Sequence, residues 1–297
     1  MNRGPLLFLG AFFALSLSWF GLILTPQLQI GSQNPGEASD LGYRYPAPRS
    51  GDAHAGREVY RAAGCVYCHS QQVGQNGVIF DVALTKAGIF TDDVANAILR
   101  INSDLGRAVV NNGVGNTNGF IFMRDVDFRT ADHAMKRVNE VGGNVETALI
   151  PKPTGRDINL GWGARRSVAR DYLYDYPVQL GGQRIGPDLT NIGNRRPDAE
   201  WHYKHLYSPK SVLPKSAMPA YEYLFKEVSQ GSGPSADAVS VEVDGTEQLV
   251  EPTEKGRQLV AYLLSLRSGP RLFETPMPKQ SKPASATAGG AELADAQ

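Results

Sequence analysis

Cys65-Val66-Tyr67-Cys68-His69 holds the only two cysteines of the chain, and C-x-x-C-H is the spacing of covalent c-type haem attachment. Two thiols add to the two vinyl groups of one haem, and the residue after the second thiol offers an imidazole to the iron. A zinc site needs about four ligands, and there is no second cysteine pair to complete one. A dithiol redox pair wants a βαβ setting and has no use for His69. A chance match of five letters is the remaining alternative.

An electron-carrying haem iron with one histidine needs a sixth ligand. A methionine thioether raises the potential, and a second histidine gives a lower one. The candidates are Met123, Met135, Met218 and Met277, and His54, His133, His202 and His205. Met218 lies in LPKSAMPAY, between Pro214 and Pro219, a stiff loop able to hold a weak ligand. It is the expected ligand. Met123 and Met135 read as core methionines, and Met277 falls in a polar tail. His202 and His205 share a helix face but find no carboxylate or thiol to complete a metal site, so a hydrogen-bonding role is expected. His54 and His133 read as surface residues. Gly186-Pro187-Asp188-Leu189 could offer a carbonyl to the second ring nitrogen of a ligand histidine, or be an ordinary tight turn.

Several elements must position these residues. Leu6 to Leu24 is nineteen residues without a charge; as a helix it spans roughly 28 Å, about a bilayer's hydrocarbon core. It is longer than a signal peptide's apolar region and runs on without a small-residue cleavage site, so an uncleaved anchor is expected. Arg3 precedes it and Glu37 is the next charge, which puts the N-terminus in the cytoplasm and the remainder across the membrane. Thirty basic and thirty acidic residues cancel; no basic footprint for nucleic acid exists.

Residues 31–50, rich in Gly, Pro, Ser and Asn, read as a linker. The spacing then predicts a helix over Asp52–Ala63, with Arg57, Glu58 and Arg61 on its solvated side, a helix over Ala199–Leu206 with Trp201 and Leu206 as its apolar contacts, and a helix over Glu254–Leu266. Alternating Val239, Val241 and Val243 before Asp244-Gly245 predict a hairpin. Between His69 and Gly186 the pattern predicts a helix over Asp92–Ile101, a strand over Phe120–Val126, a helix over Ala131–Val141 and a strand over Asn144–Ile150. HAMKRVNEVGGNVETALI in that stretch faintly resembles the C-terminal domain of the ribosomal stalk protein, and no function is carried over. The end of the chain, rich in Pro, Ala, Ser and Lys, reads as disordered.

Together these segments resemble a class I cytochrome c. More narrowly, the chain resembles the monohaem, membrane-anchored subunit II of cbb3-type cytochrome c oxidases. The apolar span, GCVYCHSQQ, YDYPVQLGGQRIGPDLTNIG, EWHYKHLYSPKSVLPKSAMPAY and GRQLVAYLLSL carry the resemblance in the family's order, over about half the chain. With that resemblance the chain reads as a mostly α fold: an anchor (1–30), a linker (31–50), a cytochrome c domain (51–72 and 171–268), an inserted α+β unit (73–170) and a disordered tail (269–297). The resemblance implies one haem c held by Cys65 and Cys68, iron ligated by His69 and Met218, and a Pro187 carbonyl accepting from His69. The role implied is a non-catalytic electron-transfer subunit on the periplasmic side of a bacterial inner membrane. Its partners would be a catalytic haem–copper subunit and other c-type cytochromes. The insertion has no counterpart in the usual short subunit. The cytochrome subunit of a nitric oxide reductase, a free-standing anchored carrier and a haem-based gas sensor are the rival readings.

Overall fold

The computed structural model describes residues 3–31, 33–37, 44–86, 88–89, 91–101, 120–228, 233, 235–243, 245–269 and 272. Met277, the turn residue Asp244 and the expected tail, apart from Gly269 and Leu272, lie outside them.

The apolar N-terminal run is helical from Gly4 to Gln29, long and apolar enough to cross a membrane. Its last third widens into a π-helical turn at Phe20–Leu24, where the Thr25 hydroxyl donates to the Phe20 carbonyl at 2.9 Å. Pro26 accounts for the widening, since its ring displaces the carbonyl four residues back and it has no N–H to donate.

The chain divides into two compact units, one of residues 1–77 with 153–276 and one built on residues 78–152. In the first, the leading helix Gly51–Ala62 begins at Ser50, whose hydroxyl accepts from Ala53 N. The closing helix Glu254–Ser265 begins at Thr253, which caps Gly256 N. The two cross backbone to backbone at Gly56: a Cβ there would stand 1.8 Å from the Gln258 carbonyl oxygen. Tyr60 and Tyr262 pack beside the crossing with ring centroids 5.3 Å apart.

A third helix, Ala199–Tyr207, is capped by Asp198 and contributes Tyr203, Leu206 and Tyr207 to the same core. The expected hairpin forms, Val239–Val243 against Thr246–Pro252 with Val243 opposite Thr246, and Phe225–Glu227 adds a third strand. Its inward residues Val239, Val241 and Val250 are part of this core, so the hairpin is built into the unit.

The second unit is a three-stranded sheet, Phe120–Val126 beside Gly77–Lys86 beside Glu146–Thr154, with helices Thr91–Ile101 and Phe128–Asn139. Val82, Leu84 and Phe122 of the sheet close a core with Val94, Ile98, Ala131 and Val138 of the helices.

Several expectations meet a different structure. The strand Gly77–Lys86, the centre of its sheet, was not among the expected elements. The strand expected to stop at Ile150 runs through Pro151 and Pro153 to Thr154; it is an edge strand, where a missing N–H is tolerated. Arg57, placed on the solvated side, is 6 % exposed because its guanidinium turns inward to donate to the Tyr174 carbonyl. The compact unit 78–152 lies within the expected insertion 73–170, with residues 153–170 grouped with the first unit. The expected linker is also partly structured: Gly36 and Glu37 pair with Tyr45 and Arg44, Tyr45 is buried, and Arg49 forms an ion pair with Asp175. The mostly α expectation meets three separate sheets alongside the helices.

Candidate haem site

The leading helix stops at Ala62, and the chain turns through Cys65–Tyr67. Cys68 N and His69 N both donate to the Cys65 carbonyl, at 3.1 and 2.9 Å. This tight turn sets both thiols and the imidazole on one short stretch. Both thiols are free; Cys65 is buried and Cys68 half-buried. Burial pushes the Cys65 thiol up to about 11, with the Tyr221 hydroxyl opposing it through a hydrogen bond.

His69 Nδ1 lies 2.8 Å from the Pro187 carbonyl oxygen. A carbonyl only accepts, so Nδ1 carries the proton and Nε2 keeps its lone pair. Burial lowers the imidazole's pKa, favouring the neutral form a metal requires. The ring lies against Gly186, where a Cβ would come within 2.3–2.9 Å of Cε1, Nδ1 and Nε2. Any side chain at 186 would push the imidazole away. Gly186 N donates to the Cys68 carbonyl at 2.9 Å and Leu189 N to the Ser70 carbonyl at 2.8 Å. The Gly-Pro turn is therefore bonded to the C-x-x-C-H segment on both sides of His69.

Met218 is half-buried and packs against the hydrophobic cluster that contains Cys65. Its loop is fixed at one end by Ser216, whose hydroxyl accepts from Met218 N at 3.2 Å. At the other end Tyr221 N donates to the Leu206 carbonyl at 2.9 Å. Met123 and Met135 pack on the core of the second unit, and His54 and His133 are exposed, as their residue contexts suggested.

The helix that precedes the Met218 loop carries two histidines with different employment. His202 is buried and donates from Nε2 to the Arg196 carbonyl at 2.9 Å, a structural anchor. His205 is stacked on Trp201, ring centroids 4.7 Å apart and planes 15° from parallel, with the Arg196 guanidinium 5.1 Å from the Trp201 ring centroid. Its Nδ1 is buried without a hydrogen-bond partner among the described residues. Burial first, then neighbouring His202, His69 and Arg196, push His205 down to about 4. It is an uncharged ring at neutral pH. Among the described residues no group of three or more His, Cys, Asp or Glu side chains could hold a metal ion by itself.

Sequence reasoning did not single out Asp188, Arg184 or Tyr221. Asp188 is completely buried beside Pro187. Arg184 joins Ser70 Oγ, at 2.9 Å, to Asp157 Oδ1, also at 2.9 Å. Asp157 in turn accepts from Gly74 N at 2.6 Å. The charged letters were visible, but their partners lie far away in sequence, and no local pattern announces them.

Two free thiols on a turn, an imidazole with its proton-bearing nitrogen committed and its other nitrogen free, a glycine surface behind the ring and a thioether on the same apolar cluster fit a haem. This donor set suits the haem attachment that the C-x-x-C-H spacing suggests. Residues 159–256 match the family described as Cytochrome C oxidase, mono-heme subunit/FixO. The match takes in Pro187, the Met218 loop and the hairpin, about a third of the chain. The resemblance carried by the motifs is to this family of mono-haem oxidase subunits. No curated protein matches the chain.

Proposed function

We propose that the chain is a membrane-anchored mono-haem c-type cytochrome. On this reading it is the non-catalytic electron-transfer subunit of a cbb3-type haem–copper cytochrome c oxidase. The observation that carries the reading is the committed Nδ1 of His69, 2.8 Å from the Pro187 carbonyl, one residue after two unpaired thiols and within a chain whose 159–256 segment matches the FixO family.

When bound, the haem supplies a one-electron couple at its iron. The chain's residues do the rest. Cys65 and Cys68 hold the group covalently. His69 presents Nε2 and is kept from rotating by Pro187 and Gly186. Met218 supplies a weak, polarizable sulfur, which favours the reduced iron and raises the potential. Tyr60, Leu206, Leu259 and Leu263 belong to the same apolar core as Cys65. The helix Gly4–Gln29 is the anchor, with the globular part on the periplasmic side of a bacterial inner membrane. Electrons arrive from another c-type haem and leave for the catalytic subunit, where oxygen chemistry belongs.

The test is expression of the full chain with a c-type maturation system, followed by haem staining of the denatured protein. Wild type retains haem, and Cys65→Ala with Cys68→Ala retains none; covalent haem in the double variant would sink the assignment. Met218→Leu loses the thioether–iron band of the oxidised protein and lowers its potential. An unchanged band would make another residue the ligand. Purification from the native membrane with a haem-b, copper-containing subunit supports the oxidase. A nitric oxide reductase subunit in its place, or the chain alone, supports the rival assemblies.

A further inference from the structure

Asp188 has no place in the role assigned above, yet its carboxylate is completely buried, one residue beyond the carbonyl that holds His69. Oδ2 accepts from the Ser70 hydroxyl at 2.6 Å and from Gln72 N at 2.7 Å, and Oδ1 accepts from Thr190 N at 2.8 Å. The first two bonds join the residues that follow His69 to the turn behind its ring, and the third closes the turn on itself. Two guanidinium groups flank the carboxylate without making a close pair with it. Arg184 Nη2 stands 3.9 Å from Oδ2, and Arg195 Nη2 donates to the Asp188 backbone carbonyl at 2.5 Å. Arg195 is only half-buried, and its Nε is buried without a partner among the described residues.

Removing a carboxylate from water costs several kcal/mol. A neutral amide could stitch most of these segments together at less desolvation cost, so the charge itself needs an account. In a low-dielectric interior an ion acts well beyond hydrogen-bond range. The oxidised iron carries one positive charge more than the reduced iron, so a fixed anion beside the axial imidazole favours the oxidised state. A fixed cation favours the reduced one.

We propose that Asp188 is a positioning residue for the His69 imidazole and that its buried charge holds down the reduction potential of the bound haem, with Arg195 as the opposing cation. The inference rests on the haem reading of Cys65, Cys68 and His69. Asp188 adjoins Pro187, whose carbonyl holds His69 Nδ1 at 2.8 Å, and its own Oδ2 holds Ser70, the chain neighbour of His69.

The experiment is a reductive titration of the detergent-solubilised holoprotein with dithionite, in which one electron converts ferric to ferrous iron and no bond forms or breaks. Proton NMR of the haem methyls in the oxidised protein reads the orientation of the axial imidazole beside it. Asp188→Asn shifts the potential upward and changes the methyl pattern. Arg195→Gln shifts the potential downward and leaves the methyl pattern close to wild type. Ser70→Ala keeps the charge and changes the methyl pattern with a smaller shift in potential. Potentials of the Asp188 and Arg195 variants that match wild type, or move in the same direction, overturn the proposal. If Asp188→Asn does not fold, an unchanged or raised potential in Arg195→Gln overturns it. Absence of covalent haem from the wild type, seen in the pyridine haemochrome before any titration, overturns the haem reading instead.

Discussion

The two units bury different chemistry. Residues 78–152 enclose aliphatic side chains and Phe122, and among the described residues Asp81 is the one buried polar side chain there. The first unit buries Arg57, Gln71, Asp157, Arg165, Asp175, Asp188 and His202 beside its apolar core. Buried polar groups cost free energy unless bonded, and most of these are. Arg165 meets Asp171 at 2.7 Å, with Asp171 also accepting from the Tyr45 hydroxyl at 2.9 Å. The Tyr262 hydroxyl donates to the Gln71 amide oxygen at 3.1 Å. An apolar core specifies a fold; a bonded polar interior also fixes where particular atoms stand. The unit with the C-x-x-C-H segment is the one built in the second way.

Truncating the apolar core is the largest break in this comparison outside the cofactor attachment itself. Phe122 is fully buried in the core of the second unit, and Phe→Ala in such a place costs about 3–5 kcal/mol. Phe122→Ala should abolish or strongly lower the melting of that unit while the visible spectrum of the haem and its potential stay as in wild type. A changed haem spectrum in this variant would show that the two kinds of interior are not energetically separate.

Gly56→Ala strikes the first unit instead. Its added Cβ meets the Gln258 carbonyl oxygen at 1.8 Å and Tyr262 Cβ at 2.9 Å, contacts that only a separation of the leading and closing helices can relieve. Overpacking of this kind costs about 1–3 kcal/mol. Thermal unfolding of the holoprotein should move to lower temperature, together with haem yield per chain. A variant with wild-type melting and haem content would mean that the helices do not meet as closely as 1.8 Å implies.

The same contrast governs what could be read from the sequence. Cys65, Cys68 and His69 stood out because a haem-attachment motif dictates residue type and spacing together, and the Pro187 carbonyl, which lies 2.8 Å from His69 Nδ1, because the second nitrogen of an imidazole asks for one acceptor. Helix positions followed from apolar periodicity, while the caps Ser50, Asp198 and Thr253 that start those helices were seen only in the structure. The strand Gly77–Lys86 had a readable signal, Val78, Phe80, Val82 and Leu84 at period two, which was not used. The extension through Pro151 and Pro153 was not readable, since only its edge position makes those prolines tolerable. Arg57 and Asp188 were illegible for a deeper reason. A charged residue is read as exposed until its partner is known, and Ser70 and Asp188 are 118 residues apart.

The smallest effect expected is a slope with pH. His205, in the first unit, is held down at about 4, chiefly by burial, whereas an unfolded histidine titrates near 6.5. Between those values the unfolded chain binds a proton that the folded one refuses, so stability falls as pH drops from about 6.5 to about 4 and is unaffected by this group above that window. Below about 4 both states are protonated and the loss stops growing. The only histidine of the second unit, His133, is exposed, so it adds no comparable burden there. Melting of the first unit should therefore lose several degrees across this window, and His205→Gln, which keeps a polar side chain but cannot take up a proton, should flatten that part of the slope. Equal slopes in wild type and His205→Gln would place the acid sensitivity on another group and remove His205 from the comparison.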